Sequence, residues 1–157
     1  IPVNNPRNEK KMRNVSKEMS HNPDWEKIEK KKRLKGRKAE ALVEEYEKKR
    51  LNNEGRDDLA DKIEDYSKKL GVGFDILSWN KDGTKRCIEV KASSNNSFII
   101  TRNEVKKSQE NPNYWIYIVN PKSNGNVQIK ILKGPELKDP SQFNLDPKDY
   151  YVSFSMG

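Results

Sequence analysis

The apolar residues of this chain are distributed unequally, and their distribution limits where a packed core can form. Residues 1–38 contain 8 apolar side chains, whereas residues 39–157 contain 42. A segment so poor in apolar side chains cannot bury enough surface to offset the conformational entropy lost on folding. The sequence therefore predicts a packed domain over residues 34–157, preceded by a separate linker or helical arm over residues 1–33.

The charge follows the same division. Residues 1–38 carry 13 Lys and Arg against 5 Asp and Glu, while residues 39–157 carry 19 of each, so the net charge of +8 lies at the N-terminus. Two interpretations of this basic segment compete: an arm that binds nucleic-acid phosphates through counterion release, or a solvated linker. Runs such as Lys30–Arg33 are common in linkers, so both interpretations stay open.

Several classes of site are excluded by the residues that the chain lacks. Cys87 is the single cysteine, which excludes an intramolecular disulfide framework and a CxxC zinc pair. The single histidine, His21, lies in the polar N-terminal segment, which argues against a Ser-His-Asp triad, a Cys-His pair and a histidine-based zinc site. The sequence has no glycine-rich phosphate loop and no apolar run of the roughly 18 residues that a membrane span needs. We expect a soluble cytoplasmic protein, and the start at Ile1 suggests a module of a longer one.

Helical spacing is clearest in two places. Ala39, Leu42, Val43 and Tyr46 recur on one face and predict an amphipathic helix over residues 37–51, with an exposed helix before it that continues to Gly36 or breaks there. Thr101 and Glu104 have the spacing of a capping box, which predicts a helix ending near residue 110. Residues 59–70 also have helical spacing but remain ambiguous, because glycines follow them.

The remaining pattern is typical of strands. Residues 74–79 and 85–92 predict a β-hairpin around residues 80–83, and further strands are expected at residues 98–100, 114–119 and 127–131. Residues 134–147 have a loop-like composition, and residues 150–154 predict an edge strand. The order of helices and strands indicates an α/β fold with a mixed sheet flanked by helices.

The hairpin decides whether two acidic residues meet. Along the second strand, Glu89 and Lys91 project to one face, because side chains alternate. A three-residue loop pairs Asn80 with Thr84 and places Asp75 opposite Glu89. A two-residue loop shifts the pairing by one residue and sends Asp75 to the other face.

A cluster of Asp75, Glu89 and Lys91 has a definite chemistry. Two carboxylates a few ångströms apart repel each other unless one is protonated or a cation lies between them. Oxygen ligands with open positions suit Mg²⁺ or Mn²⁺, and a neighbouring lysine would orient or help to deprotonate a water and stabilise developing negative charge. The competing interpretation is a half-exposed strand with an ordinary surface ion pair.

These residues also carry a resemblance to a known family. Gly73-Phe74-Asp75-Ile76 followed by Glu89-Val90-Lys91 resembles the PD-(D/E)xK nuclease signature. Together with Gly36-Arg37-Lys38-Ala39-Glu40 and Thr101-Arg102-Asn103-Glu104, they are similar to the module at the C-terminus of the plant protein NO VEIN. That module also occurs in bacterial restriction and phage-defence proteins. The resemblance covers roughly residues 34–154.

The resemblance implies roles for individual residues. Asp75 and Glu89 would be metal ligands for Mg²⁺ or Mn²⁺, with the backbone carbonyl of Val90 as a third, and Lys91 would activate the water. Glu40 matches an acidic position that completes such sites. The chain departs from the family's pattern at two positions, Phe74, where Tyr is usual, and Ala92, where Thr is common, and neither change removes a ligand.

The resemblance also implies a fold and a function. The fold would be a restriction-endonuclease-like αβββαβ core with residues 63–66 in its first strand. The function would be that of a Mg²⁺-dependent endonuclease acting on DNA, or on RNA, as the effector domain of a larger restriction or anti-phage defence protein. ATPase, helicase or other defence domains are the expected partners, with a homodimer where both strands are cut. The alternative is an inactive module that binds nucleic acid or protein.

Four residues at the start of the second predicted helix have a further expected role. Arg102, Asn103, Lys106 and Lys107 are placed to bind a nucleic-acid phosphate, aided by the helix N-terminus. An exposed polar helix face explains the same residues equally simply, so this expectation depends on where the helix lies relative to the two acids.

Overall fold

The structure is a computed structural model that describes residues 23–146 and 151–155. The chain divides into two units, Ile1–Lys35 and Gly36–Gly157. His21 and residues 1–22 of the expected N-terminal arm lie outside the described residues. In the part of the chain that is described, no helix combines the length and the apolar character needed to cross a membrane.

The first helix, α1, spans Pro23–Asn53 and includes both helices expected from the sequence. It continues through Gly36, where, among the described residues outside the helix's own backbone, no atom lies within 4 Å of the position of an added Cβ. The side chains of residues 24–35 are exposed, in agreement with the lack of an apolar helix face in that part of the sequence. The predicted helix is confirmed, and Ala39, Val43 and Leu51 are buried on one face of α1. Leu42 and Tyr46, which were expected on the same buried face, are exposed.

The ambiguous segment after α1 contains a single turn of helix, α2 (Asp57–Ala60), and then a two-residue strand, β1 (Glu64–Asp65). The helical spacing was therefore misleading, and the strand that the resemblance implied here is confirmed. Leu59 and Ile63 are buried, but Leu70 is fully exposed at 101%. The apolar residues of this segment do not form one face because the chain turns between them.

The main sheet has five strands, which confirms the expected mixed sheet. In their order across the sheet they are β1, β2 (Ile76–Trp79), β3 (Lys85–Ala92), β5 (Tyr114–Pro121) and β6 (Val127–Lys133). Neighbouring strands β3 and β5 run parallel, and the other neighbours run antiparallel. The connection between β3 and β5 contains helix α3 (Arg102–Glu110), as a parallel pair requires a crossover.

A second, three-stranded sheet has the order β4–β8–β7, from β4 (Ser97–Ile99), β7 (Phe143–Asp146) and β8 (Tyr151–Phe154). Two expectations were wrong here. Residues expected to form a loop include a 3-10 helix, Gly134–Lys138, and strand β7. The C-terminal strand is central in its sheet and not an edge strand, because β4 and β7 pair on either side of it. Residues 147–150 lie outside the described part.

The hairpin has the register of a three-residue loop, as expected. Asn80 N–H donates to Thr84 O at 2.8 Å, and Ile76 pairs with Ile88. Gly83 closes the loop with a φ of +89°, a left-handed conformation that favours glycine. This register brings Asp75 and Glu89 to the same side of the hairpin.

The two faces of the main sheet contact different cores. One face packs beneath α1, where Ile76, Ile88 and Val90 contact its buried side chains. The other face packs against α3 and the second sheet, through Ile116 and Ile118. Glu89 pairs with Ile116 and Lys91 with Ile118, so the two charged side chains of β3 lie on the α3 side of the sheet.

Candidate active site

Asp75 is held against β3 by its backbone and by its side chain. Its N–H donates to Ile88 O at 2.9 Å, and its carboxylate Oδ2 accepts from Val90 N–H at 2.8 Å. Burial raises the pKa of Asp75, while the Val90 N–H and the charge of Lys91 act in the opposite direction. The carboxyl is thus fixed beside β3 in an environment that disfavours an uncompensated negative charge.

Glu89 is the most strongly perturbed acid of the site. Its side chain is buried, and Tyr114 Oη donates to its Oε2 at 3.4 Å. Burial, followed by a hydrogen bond with Glu104, raises the pKa of Glu89 to about 9, and the charge of Asp75 adds to that effect. A proton or a cation is needed to stabilise this carboxyl in the folded protein.

Lys91 lies between two carboxylates. Its Nζ is 3.3 Å from Glu89 Oε1 and donates to both oxygens of Glu104, at 2.8 Å and 3.1 Å. Burial opposes the charge of the amine, but the two carboxylates outweigh burial and raise the pKa of Lys91. The lysine is therefore an ammonium group at neutral pH, and it is a hydrogen-bond donor and not a base.

Glu104 is the functional residue that sequence reasoning missed. Burial acts to raise its pKa, but hydrogen bonds from Glu89 and Lys91 outweigh burial and lower the pKa of Glu104 to about 2. The motif Thr101-Arg102-Asn103-Glu104 predicts a capping box, which gives Glu104 a structural role, and the sequence therefore offered no reason to assign this acid to the site as well. That capping box is confirmed, because Thr101 N–H donates to Glu104 Oε1 and Glu104 N–H to Thr101 Oγ1.

These acidic side chains open onto one cavity of about 190 Å³. Its lining includes three acidic residues, Asp75, Glu89 and Glu104, and two lysines, Lys69 and Lys107. The remaining lining residues are Tyr66, Ser67, Gly73 and Phe74. A larger cavity of about 570 Å³ adjoins the second sheet, but none of the expected site residues lines it.

Glu40, on α1, is brought towards this cluster from the other side of the hairpin. Burial raises its pKa, and the negative charge of Asp75 raises it further, while a hydrogen bond from Ser67 lowers it. Ser67 lines the cavity, whereas Glu40 is not among the lining residues. The structure thus brings Glu40 close to Asp75.

The four residues expected to bind nucleic acid are separated by their exposure. Lys107 lines the cavity, whereas Arg102, Asn103 and Lys106 are exposed on α3. Lys106 lies 4.0 Å from Glu110 on the same helix. The capping box occupies two N–H groups at the start of α3, which leaves fewer donors for a phosphate at this helix N-terminus.

The donor set of the cavity fits a hard divalent cation in part. Within residues 23–146 and 151–155, no group of three or more His, Cys, Asp or Glu side chains is arranged to hold a metal ion. Asp75 and Glu89 provide two carboxylates, and Mg²⁺ commonly keeps several waters and takes only one or two carboxylates plus substrate phosphate. The raised pKa of the buried Glu89 carboxyl is consistent with a role for a compensating cation. Ligation by the Val90 carbonyl stays a prediction.

Comparison with known families gives one match. The family model described as "Protein NO VEIN, C-terminal" matches residues 39–132. No curated protein matches the chain. The matched range begins inside α1 and ends at the close of β6, so it includes Glu40, the hairpin with its two acids, and all of α3.

Proposed function

The chain belongs to the NO VEIN C-terminal family, and we propose that it is a metal-dependent endonuclease that hydrolyses phosphodiester bonds of DNA. The observation that carries this proposal is that Asp75 and Glu89 line one cavity, as the hairpin register brings them together, while Lys91 Nζ lies 3.3 Å from the Glu89 carboxyl. Acids alone would repel a phosphodiester. The presence of Lys107 and Lys69 in the same cavity provides positive charge for a phosphate.

Asp75 and Glu89 would hold the cation, Mg²⁺ or Mn²⁺, with waters and a phosphate oxygen in the remaining positions. Such an ion polarises a phosphoryl oxygen and lowers the pKa of a bound water. Glu40 would act from behind Asp75, where its charge increases the local preference for a cation. Lys107 would bind a non-bridging phosphate oxygen and orient the scissile bond.

Lys91 would donate hydrogen bonds to the attacking water and to the phosphoryl oxygens as negative charge develops on them. The ammonium form, paired with the Glu104 carboxylate at 2.8 Å, suits that role. In the reaction the water oxygen bonds to phosphorus and the bond from phosphorus to the leaving sugar oxygen breaks. One product ends in a phosphate and the other in a hydroxyl group. Of the two protons of the water, one ends on the leaving sugar oxygen and the other passes to solvent.

A cleavage assay with the variant Lys91→Ala tests the proposal. Supercoiled plasmid DNA should be nicked or cut by the parent protein with Mg²⁺ or Mn²⁺ and not with EDTA, and the variant should lose at least about 100-fold in rate. Lys122→Ala is the matched control, because this exposed lysine lies in the turn before β6. Cleavage by Lys91→Ala at the parent rate, or no cleavage by the parent, would contradict the proposal; preference for an RNA substrate would change the substrate class.

One observation favours a second candidate function. Lys91 contacts Glu89 directly at 3.3 Å, and such a pair can satisfy the buried acid without any cation. A module of this kind would bind nucleic acid or protein and not cleave. It would bind DNA equally well with EDTA and with Mg²⁺, and that comparison separates the two functions.

From the resemblance to a module that occurs in bacterial restriction and phage-defence proteins, we also propose the biological role of this reaction. The module would be the cleaving effector of a larger restriction or anti-phage defence protein, with ATPase or helicase domains supplying target selection. Two copies would be needed where both strands are cut.

A further inference from the structure

Glu104 makes two kinds of contact at once, and they join two elements of the site. Its Oε1 accepts from the backbone N–H of Thr101 at 2.9 Å, at the start of α3. Both of its oxygens accept from Lys91 Nζ, which lies on β3. One carboxylate therefore connects the beginning of a helix with the lysine of a strand.

Lys91 has two available partners, and their geometry differs. The Glu104 contact is the shorter, at 2.8 Å against 3.3 Å for Glu89, and it uses both carboxylate oxygens. The amine is largely buried, with 16% of its side chain exposed, so it cannot replace a lost partner with bulk water. Without Glu104 the amine would bind Glu89 alone and occupy the carboxylate on which the proposed cation depends.

We propose that Glu104 is a positioning residue, which holds the Lys91 ammonium at a fixed place by two hydrogen bonds and leaves Glu89 only its longer contact of 3.3 Å. This inference rests on the proposed function, in which Lys91 must reach the attacking water. The capping box restrains the Glu104 side chain, because its carboxylate accepts from the backbone N–H of Thr101, which no side-chain substitution removes. In this proposal Glu104 acts on the reaction through Lys91.

The variant Glu104→Gln separates positioning from helix capping. Glutamine also serves at the third position of a capping box, so the helix should keep its start and the melting temperature should stay close to that of the parent. The charged hydrogen bonds to Lys91 become neutral and weaker. We expect kcat for plasmid cleavage to fall at least tenfold while KM for DNA changes less than threefold.

Glu110→Gln is the matched control, because it removes the same charge from the same helix at an exposed position. It should leave kcat unchanged. If Glu104→Gln cleaves at the rate of Glu110→Gln, Glu104 only caps the helix and the inference is overturned. A rise in KM without a change in kcat would also overturn it, since that result would assign Glu104 to DNA binding.

A second measurement needs neither substrate nor cation. Reductive methylation with formaldehyde and cyanoborohydride, followed by peptide mass spectrometry, reports how firmly each lysine amine is held. Lys91 should be methylated at least fivefold faster in Glu104→Gln than in the parent, with Lys122 as the internal reference. Equal rates would overturn the positioning role even in an active enzyme. Faster methylation in a protein that never cleaves DNA would support positioning and overturn the proposed function alone.

Discussion

At the level of single residues, the contributions of Glu89 and Glu104 to the free energy of unfolding change with pH in opposite directions. Burial raises the pKa of Glu89 to about 9, well above its ordinary 4.5, so the folded state binds this proton more tightly than the unfolded state. Its contribution to stability is present below pH 4.5 and is lost as the pH rises towards 9. The pKa of Glu104 is lowered to about 2, so its contribution is present above pH 4.5 and lost as the pH falls towards 2.

The variant Glu89→Gln tests this balance. An amide is a neutral mimic of the protonated acid, so the variant should be more stable than the parent between pH 6 and 9, by up to about 1.4 kcal/mol per pH unit. Chemical denaturation with EDTA at several pH values measures the difference. Glu110→Gln should keep the parent's pH dependence, and parallel curves for the parent and Glu89→Gln would show that Glu89 is not a strained acid.

Asp75→Asn should weaken cation binding and leave the fold intact. The amide oxygen can still accept from Val90 N–H, which preserves the contact that fixes this side chain. Loss of one of two carboxylates should reduce Mn²⁺ affinity at least about tenfold, because Mg²⁺ and Mn²⁺ sites depend on anionic oxygen ligands. Calorimetric titration measures it, with the exposed Asp61→Asn as control. Equal affinities for Asp75→Asn and the parent would exclude Asp75 as a ligand.

The sequence predicted the grouping of Asp75, Glu89 and Lys91 because alternation along a strand and the length of one loop suffice to derive it. Glu104 could not be assigned in the same way. Its distance from Lys91 depends on how α3 crosses the sheet, and a crossing geometry is not encoded in local spacing. The pattern S/T-x-x-E already had a local explanation, which hid the second role of the acid.

At the level of elements, local patterns predicted the hairpin, the long helix, α3 and strands β5 and β6. The second sheet could not be predicted, because one of its two pairings joins strands that are distant in sequence, with Ile99 of β4 opposite Tyr151 of β8. Its last strand, central in that sheet, has the same short apolar pattern as an edge strand would. The composition of residues 134–147 is polar and rich in turn formers, although part of it is regular structure.

Gly134 marks the closest approach of two elements that support the site. A Cβ at this position would meet the backbone of Ser108 on α3, and backbone cannot rotate away as a side chain can. We expect Gly134→Ala to lower the free energy of unfolding by about 1–3 kcal/mol. Thermal or chemical unfolding measures the change.

Gly36→Ala is the natural comparison for this prediction. Space around Gly36 is open and the residue lies within α1, so the added methyl should stabilise the protein by about 0.5–1 kcal/mol. If Gly134→Ala were as stable as the parent, α3 and the 3-10 helix would not be packed as tightly as described.

At the level of the whole molecule, the net positive charge lies in residues 1–38 and the buried core residues lie in residues 39–157. Residues 39–157 have no net charge, so electrostatic attraction to DNA should come from the basic N-terminal segment. Changing Lys30, Lys31 and Lys32 together to Gln should reduce the slope of log affinity against log salt by up to about 2.7. DNA titrations at several salt concentrations measure that slope.

Lys48→Gln with Lys49→Gln provides the control, because each of these lysines is already paired with a glutamate on the same helix. That variant should keep the slope of the parent. An unchanged slope for the triple variant would identify residues 30–32 as a solvated linker.

The second sheet has a practical consequence for anyone preparing related proteins. The family match stops at residue 132, yet Leu137, Phe143, Val152 and Phe154 lie beyond it and are buried against Ile116 and Ile118. A recombinant fragment trimmed to the matched range would expose one side of the main sheet to water and should precipitate or form soluble aggregates. Expression boundaries for this family should therefore be drawn past the last aromatic residue of that layer.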